Sequence, residues 1–181
     1  KLLYNSRNIR RKSIPDTILA WKYFLDTLSK EKRDKCQLIL HTTPIDEHGT
    51  DLPEVIRFLF PEENHNVIIS PGKFTTEQMS YLYNYADGTI LLSSAEGWGL
   101  ALTESLLTGT PIIANVTGGM QDQMRFEDKN GDWIEFNSDF PSNHRGTYKS
   151  HGEWALPVYP TNLSLVGSPK TPHIWDDRCD A

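Results

Sequence analysis

The chain has 181 residues, 38% of them hydrophobic, enough to bury one α/β core without disulfides or a structural metal. Its formal charge of -6 and pI near 5.5 argue against a nucleic-acid partner, and Arg10-Arg11-Lys12 is the one dense basic run. Cys36 and Cys179 lie far apart and outside any metal-ligand spacing, and no apolar run approaches the ~20 residues of a membrane span, which disfavours a disulfide framework, a zinc site and a membrane-spanning helix.

Sparse cysteine suits a reducing compartment, so a cytoplasmic location is expected. The chain opens on Lys1 with no initiator Met, as a piece cut from a longer polypeptide would.

Residues 1–4 read as a short strand, and a polar loop follows through Lys12. Ser13 and Asp16 stand at capping-box spacing with Pro15 in the first turn, opening a helix whose Ile14, Ile18, Trp21, Leu25 and Leu28 share one apolar face. Residues 37–41 form a second strand, 52–60 a short helix closed by Pro61, and 67–69 a third strand. Thr75 and Gln78 repeat the capping-box spacing ahead of a helix with Met79, Leu82, Tyr83 and Ala86 on its apolar side. A fourth strand at 89–92, a helix over 99–107 ending on a left-handed Gly109, and a fifth strand at 111–114 complete the alternation. Such alternation predicts a Rossmann-like parallel sheet with helices on both faces, binding its ligand at the carboxyl ends of the strands. Past Met120 the periodicity fades, and residues 121–181 read as a less regular segment of the same domain, with Trp133-Ile134-Glu135-Phe136 as one further strand candidate. Trp133, Trp154 and Trp175 read as core or interface anchors.

The densest chemistry is Ser93-Ser94-Ala95-Glu96-Gly97-Trp98-Gly99-Leu100-Ala101-Leu102-Thr103-Glu104, which spans a strand end, a glycine turn and a helix start. Gly97 and Gly99 let a ligand approach the backbone, and the free N–H groups of the first helical turn favour phosphate. Two carboxylates beside an anion site repel it unless each instead accepts hydrogen bonds from neutral hydroxyls of the same ligand, which a sugar and a ribose supply in vicinal pairs. No G-x-G-x-x-G follows a strand and no Walker A run is present, which disfavours a dinucleotide oxidoreductase and an NTPase.

Glu96 and Glu104, with seven residues between them in an E-G-W-G-L context and Gly109-Thr110-Pro111 beyond, resemble the E-x7-E signature of GT-B glycosyltransferases, most closely the retaining family 4. The resemblance extends to Arg7 and Lys12, at the spacing of the arginine and lysine that hold the donor diphosphate, and to Pro71-Gly72-Lys73-Phe74-Thr75, whose backbone edge reads the base. Residues 39–44, 117–123 and 167–172 also look family-like. Trp98 stands where Phe or Tyr is usual, and Ser6 where Gly commonly precedes the arginine.

The resemblance implies the C-terminal half of a GT-B enzyme, with residues 1–181 forming the donor-binding domain. Glu96, Arg7 and Lys12 take the catalytic roles, with Glu96 at the donor hexose and the two cations stabilising the departing diphosphate. Glu104 meets the ribose, Gly97, Trp98, Gly99 and Leu100 meet the sugar and phosphates, and Gly72 and Phe74 lie by the base. No metal or other cofactor is required. The expected partners are a nucleoside diphosphate sugar carrying uridine, guanosine or adenosine and a missing N-terminal acceptor domain, through which the protein reaches a membrane surface. The isolated chain is then expected to bind donor without appreciable transfer. A non-catalytic sugar-nucleotide-binding domain and a GT-B epimerase are the rival readings.

Overall fold

The structure, a computed structural model, describes residues 1–61, 65–135 and 147–159 together with the strands Asn162–Leu165 and Trp175–Arg178. In chain order the elements are β1 (Leu2–Asn5), a 3-10 turn (Arg10–Lys12), α1 (Ile14–Asp26), α2 (Lys30–Arg33), β2 (Leu38–His41), α3 (Leu52–Leu59) and β3 (Val67–Ile69). Then come α4 (Thr76–Tyr85), β4 (Gly88–Leu91), α5 (Leu100–Leu107), β5 (Ile112–Asn115), α6 (Gly119–Met124), β6 (Ala155–Val158), β7 (Asn162–Leu165) and β8 (Trp175–Arg178). The first six strands form one parallel sheet in the order β3-β2-β1-β4-β5-β6, while β7 and β8 pair antiparallel with each other.

The two-residue side-chain period of the strands divides the core between the two faces. Tyr4, Leu38 and Leu40 pack with Ile14, Ile18, Trp21 and Leu25 of α1 and with Leu52 and Ile56 of α3. Leu3 and Ile39 turn the other way and pack with Tyr83 and Ala86, against which Met79 and Leu82 rest. Thr75 caps α4 as its sequence predicts, its hydroxyl accepting from Gln78 N while the Gln78 side chain accepts from Thr75 N. Gly109 adopts the expected left-handed conformation, at φ 73°.

Several local readings differ. Ser13 is left-handed, at φ 48°, and makes no side-chain cap. Its N–H closes the preceding turn onto Arg10 O at 3.1 Å, so its backbone ends one helix while starting the next. Trp133 contributes only an isolated bridge to Glu127 instead of a strand, and Phe136 lies outside the described residues. The last strand of the sheet is instead β6, whose Pro157 pairs with Ala114 at the sheet's edge, the place where a strand tolerates a residue without an N–H. α6 buries Gly119, Met120, Gln121, Gln123 and Met124 together, so it shows no amphipathic period. The segment 167–172 and Cys179 lie outside the described residues. No helix among the described residues is long and apolar enough to cross a membrane.

Candidate functional site

The carboxyl ends of β1 and β4 part around a cleft of about 440 Å³, closed on one side by the start of α5. Asn5, Ser6, Lys12, Glu96, Trp98, Gly99, Leu100, Ala101 and Glu104 line it. Six of the residues singled out from the sequence, Lys12, Glu96, Trp98, Gly99, Leu100 and Glu104, therefore meet in one place. A second cavity, of about 410 Å³, lies between α1 and the sheet against Trp21, Phe24, Leu38, Ile90 and Ile113. Its lining is almost wholly apolar, with Lys1 and Asp87 as its charged residues, so the polar cleft is the place for chemistry.

Glu96 sits at the centre of an ion cluster. Its side chain is only 7% exposed, and one carboxylate oxygen accepts from Lys12 Nζ while the other faces Arg11 at 3.1 Å. Burial on its own pushes the carboxyl up, but Lys12 and Arg11 outweigh it and hold Glu96 below the usual glutamate range. Lys12 is shifted down as well, by burial that its partner only partly offsets. Glu96, held below 4.5, is charged at neutral pH. Arg11 is the cation that sequence spacing passes over: it also donates to Ala95 O at 2.5 Å, and its own carbonyl accepts from Ser94 N at 2.8 Å. The loop after β1 and the loop after β4 are thereby tied together.

The start of α5 suits an anion. Its N-cap, Gly99, is left-handed at φ 85° and supplies no side-chain hydrogen bond to the first turn. Gly118 and Gly119, at the start of α6, brace the turn from behind. Gly119 N donates to Gly97 O at 3.0 Å, and a Cβ on Gly119 falls 2.7 Å from that oxygen and 2.6 Å from the Trp98 ring. Trp98 is 47% exposed, and its indole donates to Thr103 Oγ1 at 2.8 Å, which holds the ring across the helix start. Gly97 has open space where a Cβ would be, so it leaves room beside the cleft.

Glu104 projects from the solvent-exposed side of α5, but its carboxylate is not loose. Tyr83, 1% exposed on α4, donates its hydroxyl to Glu104 Oε2 at 2.8 Å and accepts from Asn5 Nδ2 at 2.8 Å.

The remaining predicted residues lie apart from the cleft lining. Arg7 is exposed on the loop after β1 and pairs with Asp46 at 3.1 Å, so Arg11 takes the place beside Glu96. Phe74 tilts over His41 at 4.4 Å between ring centroids, and Gly72, at φ 108°, forms the turn before it. Both stand beyond β3 on the loop that enters α4. His41 is depressed by burial and contacts Ser70 Oγ at 3.3 Å, a structural arrangement at the end of β2.

Residues 53–140 match the family model for glycosyl transferases group 1. Among solved structures, the Candida albicans trehalose-6-phosphate phosphatase N-terminal domain is similar over 67% of this chain and 29% of its own, with 20% identity and a TM-score of 0.57. WaaG, a glycosyltransferase involved in lipopolysaccharide biosynthesis, is similar over 67% of this chain and 30% of its own, with 20% identity and a TM-score of 0.51. An E. coli trehalose-6-phosphate structure bound with UDP-2-fluoro glucose is similar over the same shares, with 12% identity and a TM-score of 0.53. No curated protein matches the chain in sequence. The matched part of the chain spans about 30% of the length of these solved relatives.

Proposed function

We propose that this chain, a GT-B glycosyltransferase C-terminal domain by its fold and its group 1 match, binds a nucleoside diphosphate sugar and presents it for transfer with retained anomeric configuration. The observation that carries the reading is the cleft itself, which sets an uncapped helix start between two glutamates and beside two fixed cations.

In this reading the diphosphate lies on the first-turn N–H groups of α5 with Lys12 beside it. Charge grows on the diphosphate as its bond to the anomeric carbon breaks, and fixed cations and helix N–H groups favour that state over the ground state. Lys12 supplies that charge without a metal, while Arg11 keeps Glu96 paired. Glu104 accepts from the ribose hydroxyls and Glu96 from the hexose. Because Glu96 is held from both sides, its oxygens reach the sugar without first being ordered, which lowers the entropic cost of binding. Arg7 acts at the outer end of the diphosphate after leaving Asp46, and the loop carrying Gly72 and Phe74 borders the base. The acceptor comes from a second domain facing the cleft, so this chain alone binds donor without transferring it.

Calorimetric titration with UDP, GDP and ADP, and then with a matching sugar nucleotide, tests the reading. Glu104→Ala is expected to weaken nucleoside diphosphate binding by ~1–3 kcal/mol, the scale of hydrogen bonds to a charged group. Glu96→Ala is expected to leave the bare nucleotide unaffected and to weaken the sugar-bearing form. Equal losses for both ligands in both variants refute the division of roles.

A further inference from the structure

We propose that Tyr83 is a positioning residue for Glu104: it takes up one carboxylate oxygen, leaves the other to the cleft, and so makes the site discriminate a ribose diol from its 2′-deoxy counterpart. The proposal rests on the reading of Glu104 as the ribose-binding carboxylate.

The geometry sets the direction of the hydrogen-bond chain. A phenol carries a single proton. Asn5 Nδ2 is a donor and lies 2.8 Å from Tyr83 Oη, so the phenol oxygen accepts there. Its own proton is then committed to Glu104 Oε2, also at 2.8 Å. Burial, and after it the Glu104 carboxylate, push the Tyr83 phenol above its ordinary range, so the hydroxyl remains a donor throughout the pH range in which the protein is handled. Asn5 stands at the end of β1, Tyr83 on α4 and Glu104 on α5, and the chain of bonds joins the three.

Without such a tether, a glutamate on an exposed helix face swings into water when its ligand lacks a hydroxyl, and the loss is small. A held carboxylate cannot withdraw. With Oε2 on Tyr83, Oε1 is the oxygen left for a ligand in the cleft that Glu104 lines, and a ligand without the 2′-hydroxyl covers that oxygen without satisfying it. Sites that hold a polar group rigidly reject analogues lacking its partner far more strongly than sites that adapt. Tyr83 thus converts a surface carboxylate into a reader of the diol.

The experiment measures dissociation constants by calorimetry for the tightest-binding of UDP, GDP and ADP and for its 2′-deoxy form, in this chain and in Tyr83→Phe, Glu104→Ala and Asn5→Ala. Tyr83→Phe keeps the ring and its packing and removes only the hydroxyl. The expected wild-type preference for the ribonucleotide is about tenfold, the loss of one hydrogen bond to a charged group. Glu104→Ala abolishes it, and Tyr83→Phe brings it below about threefold, mainly by improving the 2′-deoxy form, under which the freed carboxylate can now turn to water. A merely structural tyrosine weakens both ligands alike and leaves the ratio unchanged, and that result in Tyr83→Phe overturns the proposal. Should Tyr83→Phe fail to fold, Asn5→Ala carries the same test: by freeing the phenol to turn, it is expected to lower the ratio, and an unchanged ratio overturns the proposal. The two layers separate cleanly. A wild type without any ribose preference removes the Glu104 reading, whereas a preference lost in Glu104→Ala but intact in Tyr83→Phe removes the role of Tyr83 alone.

Discussion

Lys12→Met probes the ion cluster directly, because it preserves most of the buried stem and removes the ammonium that Glu96 accepts from. In the folded chain the Lys12 side chain is 11% exposed and that of Glu96 is 7% exposed, so neither is freely solvated. Breaking a buried pair from one side costs about 3–5 kcal/mol when the remaining charge is left without compensation. Here Arg11 still faces the other carboxylate oxygen at 3.1 Å and is itself 45% exposed, so about half of that, ~2 kcal/mol, is expected at neutral pH. The pH dependence follows from the direction of the Glu96 shift. A carboxyl held below its ordinary value of 4.5 contributes stability that is fully present above that value and lost as pH falls through its folded-state value. In Lys12→Met much of this depression is gone. The stability gap between the two proteins is therefore widest near neutrality and narrows as pH falls below 4.5. Urea denaturation of both proteins at matched pH values measures the gap, and the other titrating groups largely cancel in the difference. A gap under about 0.5 kcal/mol, the usual worth of an exposed pair, or one that does not narrow in acid, refutes the account.

Other consequences of the structure are equally direct. Gly119→Ala places a methyl 2.7 Å from Gly97 O and 2.9 Å from Trp98 Cα, backbone atoms that cannot move without displacing the turn. It is expected to cost about 1–3 kcal/mol of stability by overpacking and to weaken nucleoside diphosphate binding, both measurable on the same preparation. Arg11→Gln removes the charge that steadies Glu96 and the link to Ala95 O, and is expected to weaken sugar-nucleotide binding more than bare-nucleotide binding in paired titrations. Thr75→Ala removes the cap of α4 and is expected to lower stability by about 1 kcal/mol in urea denaturation.

What was legible in the sequence is what short-range patterning encodes. The apolar runs at 38–40 and 112–113 become β2 and β5 because a strand covered on both faces needs only local hydrophobicity to be recognised, and the run at 67–69 becomes the edge strand β3 although Ile68 is exposed. Thr75 announces α4 because its capping partner is three residues away. Ser13 carried the same signature and misled, since the preceding 3-10 turn claims its backbone conformation. α6 was hidden by the burial of all its residues but Asp122, and β6 by a proline that only its position at the sheet edge permits. At the site, Glu96, Lys12 and Glu104 could be named from spacing, whereas Arg11, Tyr83 and Asn5 could not. Their partners are 84, 21 and 78 residues away respectively, and nothing local distinguishes Arg11 from Arg10 or Tyr83 from Tyr81.

In the proposed donor reading, these long-range contacts also explain how an acidic protein would offer a place to a diphosphate. The chain as a whole carries a formal charge of -6, yet Lys12 and Arg11 stand against one carboxylate at Glu96, leaving that end of the cleft with a local excess of one positive charge. Tyr4, within the sheet, donates its hydroxyl to Lys12 O at 2.8 Å, and the Arg11 carbonyl receives the N–H of Ser94, so the cations are fixed by their backbones as well as by Glu96. In that reading a diphosphate meets the Lys12 ammonium already held in place, and Arg11 keeps Glu96 paired when the ligand draws on Lys12. With Lys12 alone, phosphate and glutamate would compete for a single ammonium, and each would be bound at the other's expense. With Arg11 as the second cation, the carboxylate proposed for the sugar and the lysine proposed for the phosphate can act on one donor at the same time.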